Sequence, residues 1–435
     1  MAAAEPPPPT TGGMGFLGLL SFRRSATAVA SFDPAQDDEL LVLDALQAHV
    51  ADRLAALSAH QQGHPGPVLS LAFLSKLLDA VVSSDAAFRD ALAVGPVGAA
   101  LSRAPADRLA ADLLDRAVKA LDVLNAVSLA LASLRGSHRA ALTAASCLLG
   151  ADGAPMLHRA QFARARRAIA RLFPDAAGAG AGSRGAPATT PSSSRAGRAL
   201  SFSVSSKNWS TGRHVHAMAA HLAPPPQGLA PGAGCGLGLA LYTMSSVLVF
   251  AMWALVAAVP CQDRASASTA PNAPPKQVQW AAPMTALQER VVEESRRKEK
   301  KGSSSGNSSS SSASTGLLAE MQAVERAARE LSSLLDEIAE EDEAAAAATA
   351  DSETEAVASV SEERAGDVVE RAEALAGACR ALEDGLAPLE RQVRAVFHRV
   401  VASRAEVVRC IEHSARSGSA GSASAGAPPP QPHSF

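Results

Sequence analysis

Three histidines, His214, His216 and His221, lie close together and are the first candidates for chemistry. Imidazole nitrogens are common zinc ligands, but a zinc site needs three or four ligands drawn from His, Cys or carboxylate side chains. Residues 201–230 contain no cysteine and no carboxylate, and a bound metal also needs groups that orient its ligands. We therefore expect solvated histidines here, and no metal site.

Residues 180–185 have the sequence GAGSRG, which matches the GxGxxG pattern of dinucleotide-binding folds. That pattern needs a strand before it and a helix after it, whereas residues 174–200 are rich in Ala, Gly, Ser and Pro and are typical of a flexible linker. The sequence also lacks the GxSxG, HExxH, Walker A and kinase patterns. These observations favour a protein that is not an enzyme and that holds no cofactor.

Basic residues are concentrated in one short helical segment, residues 159–171. We expect its arginines to form a candidate partner-binding or lipid-binding face, and they are Arg159, Arg164, Arg166, Arg167 and Arg171. A basic helix face near an anionic lipid surface gains about 1 kcal/mol per residue. The alternative is a solvated face that pairs with the acidic C-terminal half, because residues 260–435 carry 19 basic and 27 acidic groups.

The elements that position these residues are predicted to be helices. Aromatic residues make up only 3 % of the chain, while Leu and Val recur at spacings of three and four, as in Leu43, Leu46 and Val50. The net charge of −3 argues against a nucleic-acid-coating protein. The five cysteines include no CxxC pair, which favours a reducing compartment.

Breaks in this periodicity predict the domain organisation. We expect a disordered tail (1–32), an N-terminal helical bundle (33–173), a flexible linker (174–200), an apolar segment with flanks (201–264), helices with a Ser-rich linker at 302–314 (280–341), C-terminal amphipathic helices (355–414) and a second disordered tail (415–435).

The most apolar stretch, residues 237–259, is 23 residues without a charge. At ~1.5 Å per residue it is long enough to cross a bilayer core of about 30 Å. A buried central helix of a bundle has the same composition, so both interpretations stay open. Cys261 directly follows the segment and is a candidate for palmitoylation, with an unmodified thiol as the simpler alternative.

Near the C-terminus, apolar residues alternate at spacings of four and three from residue 382 to residue 410. We call these positions the heptad seam, and its candidate contact residues are Leu386, Leu389, Val393, Val396 and Val400. The seam predicts a helix that packs within the chain's own bundle. A coiled coil with a second chain, and hence self-association, is the alternative.

Six stretches in this order resemble one family. They are residues 69–88 (LSLAFLSKLLDAVVSSDAAF), 107–124 (DRLAADLLDRAVKALDVL), 161–172 (QFARARRAIARL), 201–213 (SFSVSSKNWSTGR), 239–264 (LALYTMSSVLVFAMWALVAAVPCQDR) and 386–404 (LAPLERQVRAVFHRVVASR). The chain resembles the plant BYPASS-related family, and specifically its ROH-type branch, from about residue 16 to residue 412.

The resemblance implies an all-α protein: an elongated antiparallel helical bundle with a long apolar central or transmembrane helix and disordered linkers. It also implies a non-enzymatic adaptor that binds an Exo-seventy-type subunit of the exocyst and so modulates secretion, including cell-wall or mucilage deposition. We expect such a protein to be associated with the plasma membrane or an endomembrane and to face mostly the cytosol. A BYPASS-like regulator of a root-derived mobile signal, independent of the exocyst, is the alternative.

Overall fold

The computed structural model describes residues 34–62, 67–149, 159–170, 172, 210–225, 233–259, 270–304, 316–348 and 362–423. Within these ranges the chain forms ten helices and no strand. The helices are α1 (Pro34–Gln62), α2 (Leu71–Ala93), α3 (Gly95–Ala100), α4 (Ala106–Leu148), α5 (Arg159–Ala170), α6 (Thr211–Ala220), α7 (Ala233–Ala258), α8 (Ala281–Ser304), α9 (Ala319–Ala348) and α10 (Glu362–Ala423). The predicted all-α class is thereby confirmed.

Local sequence explains where several helices begin. Ser70 precedes α2, and its hydroxyl accepts a hydrogen bond from the backbone N–H of Phe73 at 3.2 Å. Ser210 does the same for α6, where it accepts from the N–H of Arg213 at 3.3 Å. A hydroxyl at this position satisfies one of the N–H groups that the first turn of a helix leaves without a partner. α1 begins at Pro34, as the pair Asp33–Pro34 predicts.

Two long helices, α4 and α10, organise the bundle. They pack against each other, α10 also packs against α2, α3 and α9, and α4 also packs against α5, α6 and α7. Ala35–Phe435 forms one compact unit by its contacts, and the buried apolar side chains of its helices form one continuous core.

Some helix ends differ from the predicted boundaries. α8 continues to Ser304, so the first three residues of the predicted Ser-rich linker are helical. α10 continues to Ala423, past the predicted start of the tail at residue 415, and it contains Pro388 without a break. Ala, Ser and Arg are compatible with a helix, and composition alone does not mark where such a helix stops. The predicted tail 1–32 and linker 174–200 lie outside the described residues.

Candidate functional site

Helix α5 presents its arginines on an exposed face. Arg164, Arg166 and Arg167 are all exposed, while Phe162 and Ile169 on the same helix are buried. α5 packs against α4 and α9. A helix of twelve residues with one apolar side and one charged side is therefore fixed in its orientation by burial of the apolar side.

One of these arginines already has an acidic partner within the chain. Arg166 Nη2 lies 2.6 Å from Asp336 Oδ1 of α9, and both side chains are about half exposed. Such exposed ion pairs contribute about 0–1 kcal/mol to stability. Among the described residues Arg164 and Arg167 form no ion pair; Arg167 donates from Nε to the carbonyl oxygen of Ala163 at 3.1 Å. Their guanidinium groups are therefore available to carboxylates or phosphates, which arginine binds in a bidentate manner.

The remaining sequence-predicted candidates are less informative. Arg159 is the first residue of α5. Arg171 and Cys261 lie outside the described residues, as do the glycines at 180–185.

The heptad seam of α10 is covered by other helices of the same chain. All five of its candidate residues are buried, and they are Leu386, Leu389, Val393, Val396 and Val400. At Gly385, next to the seam, a Cβ atom would lie 2.5 Å from Cδ1 of Leu71 in α2, so these two helices are in close contact. A second chain could reach the seam only by displacing helices that already cover it.

Helix α7 contains the apolar segment and is buried on every side. Of the described residues, two helices, α4 and α7, are long and apolar enough to cross a membrane. In the most apolar 18-residue window, 94 % of α7 is buried, against 39 % of α4. The length and composition of α7 fit either a membrane span or a core helix, but in this structure it fills the centre of a bundle, packed against α2, α3, α4 and α6.

Polar groups of α7 are bonded to other helices. Thr243 donates from Oγ1 to Oε1 of Gln47 in α1 at 2.9 Å. The indole N–H of Trp280, just before α8, lies 3.0 Å from the same Gln47 oxygen and 3.1 Å from Thr243 Oγ1. The ring of Trp280 also lies against Tyr242, with centroids 5.9 Å apart. This buried network joins α1, α7 and the start of α8.

A buried arginine provides a second polar link to α7. Arg116 of α4 is 5 % exposed. Its Nε donates to the carbonyl oxygen of Met218 at 3.0 Å and its Nη2 to that of His221 at 2.7 Å. Its Nη1 lies 3.4 Å from Ser245 Oγ of α7. Arg116 thus satisfies carbonyl groups at the C-terminal end of α6, where a helix leaves carbonyls without partners, and burial lowers its pKa.

Arg116 is not among the functional residues that the sequence predicts. Its spacing could have indicated a buried position. Arg116 follows Leu113 by three residues and precedes Ala120 by four, so it lies on the apolar stripe of α4. A charged residue on such a stripe needs a buried partner. Its partners are 102 and 105 residues away in the chain, so no local pattern identifies them.

The C-terminal end of α7 is capped by a distant segment. The carbonyl oxygens of Ala257 and Ala258 accept hydrogen bonds from the N–H groups of Leu317 and Leu318, both at 3.0 Å. These carbonyls have no partner inside their own helix. The segment that leads into α9 therefore fixes the end of the apolar helix.

Two carboxylates from different helices hold the N-terminal end of α2. Glu294 of α8 accepts from the N–H of Val68 at 2.7 Å, and Glu320 of α9 accepts from the N–H of Leu71 at 3.1 Å. Carboxylates at a helix N-terminus are favoured by its unpaired N–H groups and its dipole. Burial nevertheless raises the pKa of both groups, and the backbone hydrogen bonds oppose it in part.

The three histidines do not converge on one point. His214 is half-buried on α6, where its Nδ1 lies 3.0 Å from the carbonyl oxygen of Ser210 and its Nε2 lies 3.7 Å from Asp122 Oδ2. His216 and His221 are exposed. The described part of the chain contains no group of three or more His, Cys, Asp or Glu side chains placed to hold a metal ion.

These observations define the class of protein: an all-helical bundle built around a buried apolar helix, with an exposed arginine face on a short peripheral helix. The chain belongs to the ROH1-like family, whose sequence model matches residues 8–411. The predicted resemblance to the ROH-type branch is confirmed.

Two curated relatives from Arabidopsis thaliana cover nearly the whole chain. Protein ROH1A is 32 % identical over 442 aligned positions, which span 92 % of this chain and 96 % of the relative. Protein ROH1D is also 32 % identical, over 91 % of this chain and 94 % of the relative. No solved structure matches the chain.

Proposed function

We propose that this protein is a non-enzymatic helical adaptor that binds an Exo-seventy-type exocyst subunit and modulates secretion. The proposal rests on membership of the ROH1-like family and on the resemblance of six stretches to the ROH-type branch. The observation that supports a contact surface is the exposed face of α5, where Arg164 and Arg167 form no ion pair among the described residues. The seam of α10 is a weaker candidate because it is already buried.

The charge of the α5 face selects the kind of surface it would contact. Two guanidinium groups without acidic partners favour an acidic patch on the other protein, since charge complementarity raises association rates and excludes wrong partners. A contact of this kind is screened by salt, with a Debye length of about 10 Å at 0.1 M. Binding through α5 should therefore weaken as ionic strength rises.

The test is a binding measurement between the purified full-length chain and the exocyst subunit, by calorimetry or biolayer interferometry. We expect micromolar or tighter binding, and Arg164→Glu combined with Arg167→Glu should weaken it by about 10-fold or more, because charge reversals at an interface cost several kcal/mol. The matched control is Arg391→Glu combined with Arg394→Glu, which makes the same charge change on an exposed part of α10.

Two results would contradict different parts of this proposal. Absence of binding at micromolar concentrations would count against the exocyst subunit as the partner. Equal binding by the α5 variant and the α10 control would leave the partner in place and remove α5 as the contact surface.

We further propose that the protein associates with membranes at their cytosolic surface through α5, with α7 remaining in the bundle. Each basic residue near an anionic lipid surface contributes about 1 kcal/mol, so the exposed arginines of α5 give a weak, reversible attachment. Sedimentation with vesicles containing phosphatidylserine should fall in the α5 variant and with added salt. Undiminished sedimentation of that variant would exclude the arginine face as the attachment site.

A further inference from the structure

A small pocket lies between α2, α4, α7 and α10 and encloses about 40 Å³. Its walls are mostly apolar, with contributions from Val81, Leu113, Val247 and Val396. A site for one water needs about 10–15 Å³ by this kind of volume, so the pocket has room for roughly three such spheres. That is the size of a short aliphatic chain.

The pocket contains one buried carboxylate whose hydrogen bonding is incomplete. Asp85 of α2 lines it and is 7 % exposed. Its Oδ2 has no hydrogen-bond donor, and the nearest cationic atom is Nε of Arg399, 3.7 Å away. Ser403 of α10 also lines the pocket. A buried acceptor without a donor is costly, so a ligand that supplies one gains affinity.

The surrounding charges select among possible donors. Arg399 and Arg404 also line the pocket, Arg404 is exposed at its edge, and Arg89 acts on Asp85 electrostatically. Three guanidinium groups outnumber the single carboxylate, so a ligand with an ammonium group would be repelled. A carboxylate ligand has no hydrogen to donate to Oδ2 of Asp85, so it would leave that acceptor unsatisfied. A neutral hydroxyl donates a hydrogen bond without changing the charge of the site.

We propose that this pocket binds a small neutral aliphatic alcohol, whose hydroxyl donates to Oδ2 of Asp85 and whose chain lies among the valines of α7 and α10. The site is separate from the arginine face of α5 and does not depend on the exocyst interaction. It joins four helices, including the apolar helix α7, so an occupant would contact the centre of the bundle.

The test uses 1-butanol and the full-length chain with labelled methyl groups, followed by NMR. We expect saturable shifts for the methyl groups of Val247 and Val396, and none for Val50 of α1, which does not line the pocket. Methyl propyl ether has the same atoms as 1-butanol but no donor, and it should bind about 10-fold more weakly, since a hydrogen bond to a charged group is lost. Butyrate and butylammonium should bind still more weakly.

Two variants locate the binding. Val247→Phe fills the pocket and should abolish the shift at Val396, while Asp85→Leu removes the acceptor at similar size and should make 1-butanol and the ether bind equally. Asp90→Leu, an exposed aspartate on the same helix, is the matched control and should change nothing.

Several results would overturn the proposal. These are shifts that do not saturate or that spread evenly over the core, equal binding of the alcohol and the ether to the unsubstituted chain, and unchanged butanol binding in Val247→Phe. The comparison of alcohol with ether needs no variant, so it remains decisive if a substitution prevents folding.

Discussion

Replacing Arg116 by Met tests whether α7 is packed where the structure places it. Arg116 bonds at once to the C-terminal end of α6, through Met218 and His221, and to α7, through Ser245. Methionine has a similar length and keeps the apolar contacts of the stem. It removes the donor from the carbonyl oxygen of Met218, a buried residue, and from the part-buried carbonyl oxygen of His221.

The expected loss in the free energy of unfolding follows from these hydrogen bonds. Two short hydrogen bonds from a charged group contribute about 1.5–3 kcal/mol each. Part of that gain offsets the cost of burying the guanidinium group, a cost that also lowers the pKa of Arg116. The expected net loss is therefore about 2–4 kcal/mol. At ~2.1 cal/mol/K per residue over roughly 300 folded residues, the melting temperature should fall by about 3–6 °C.

The assay is thermal unfolding of the full-length protein, followed by helical circular dichroism at 222 nm. The matched control is Arg139→Met, which removes an exposed arginine from the same helix and should change the stability by no more than about 0.5 kcal/mol. If α7 were not packed against α4, Arg116 would lose Ser245 and much of its burial. Equal melting temperatures for the two variants would refute the reasoning.

Three further expectations follow from the same structure. Gly377→Ala should raise the melting temperature, because a Cβ there meets nothing within 4 Å and alanine stabilises a helix by up to about 1 kcal/mol relative to glycine. Gly385→Ala should lower it, since the new Cβ would lie 2.5 Å from Leu71, and equal effects would count against the close packing of α2 and α10. Burial raises the pKa of Glu320 above 4.5, so its contribution to stability is complete below that value and is lost as the pH rises through the folded-state pKa. The melting temperature of the unsubstituted chain relative to Glu320→Gln should therefore fall as the pH rises above about 4.5, and a constant difference would contradict this. Alkaline carbonate should release the protein from plant membranes because α7 is 94 % buried in its most apolar window; release by detergent alone would contradict that placement.

Local sequence was sufficient to predict the long helices, but it did not predict the short helices α3 and α6. Spacings of three and four between apolar residues identify α1, α2 and α4, and the alternating spacing of the heptad seam identifies the last helix. Burial of all five seam candidates agrees with a helix that packs inside the bundle. These signals are local because the backbone hydrogen bonds of a helix join residues four apart. A few turns of sequence are therefore enough to show the spacing of its apolar residues.

The contacts that hold the helices together could not be predicted in this way. Thr243 bonds to Gln47 across 196 residues of chain, and Glu320 reaches Leu71 across 249. Each of these side chains is an ordinary polar residue in its own sequence context. Their role becomes visible only when the packing of the helices brings them to a common point, and one sequence contains no direct record of that packing.

The apolar helix α7 shows why composition leaves its environment open. The hydroxyls of Thr243 and Ser246 both lie 2.8 Å from carbonyl oxygens of their own helix, at Leu239 and Tyr242. Bonds of this kind serve equally well in lipid and in a protein core. These two bonds within α7 are therefore no evidence for either environment.

The side chains that neighbouring helices place against α7 are more informative about whether it lies in lipid or in a protein core. Arg116 lies against Ser245, near the middle of α7, and Gln47 and Trp280 lie against Thr243. A charged arginine costs about 2.5–3.5 kcal/mol or more at the centre of a bilayer. Insertion of α7 would have to carry the guanidinium group of Arg116 into lipid, or separate it from Ser245 and separate Thr243 from Gln47 and Trp280. Both courses are costly, and burial in the bundle avoids them, because there the arginine finds the carbonyl oxygens of α6 as well as the hydroxyl of α7.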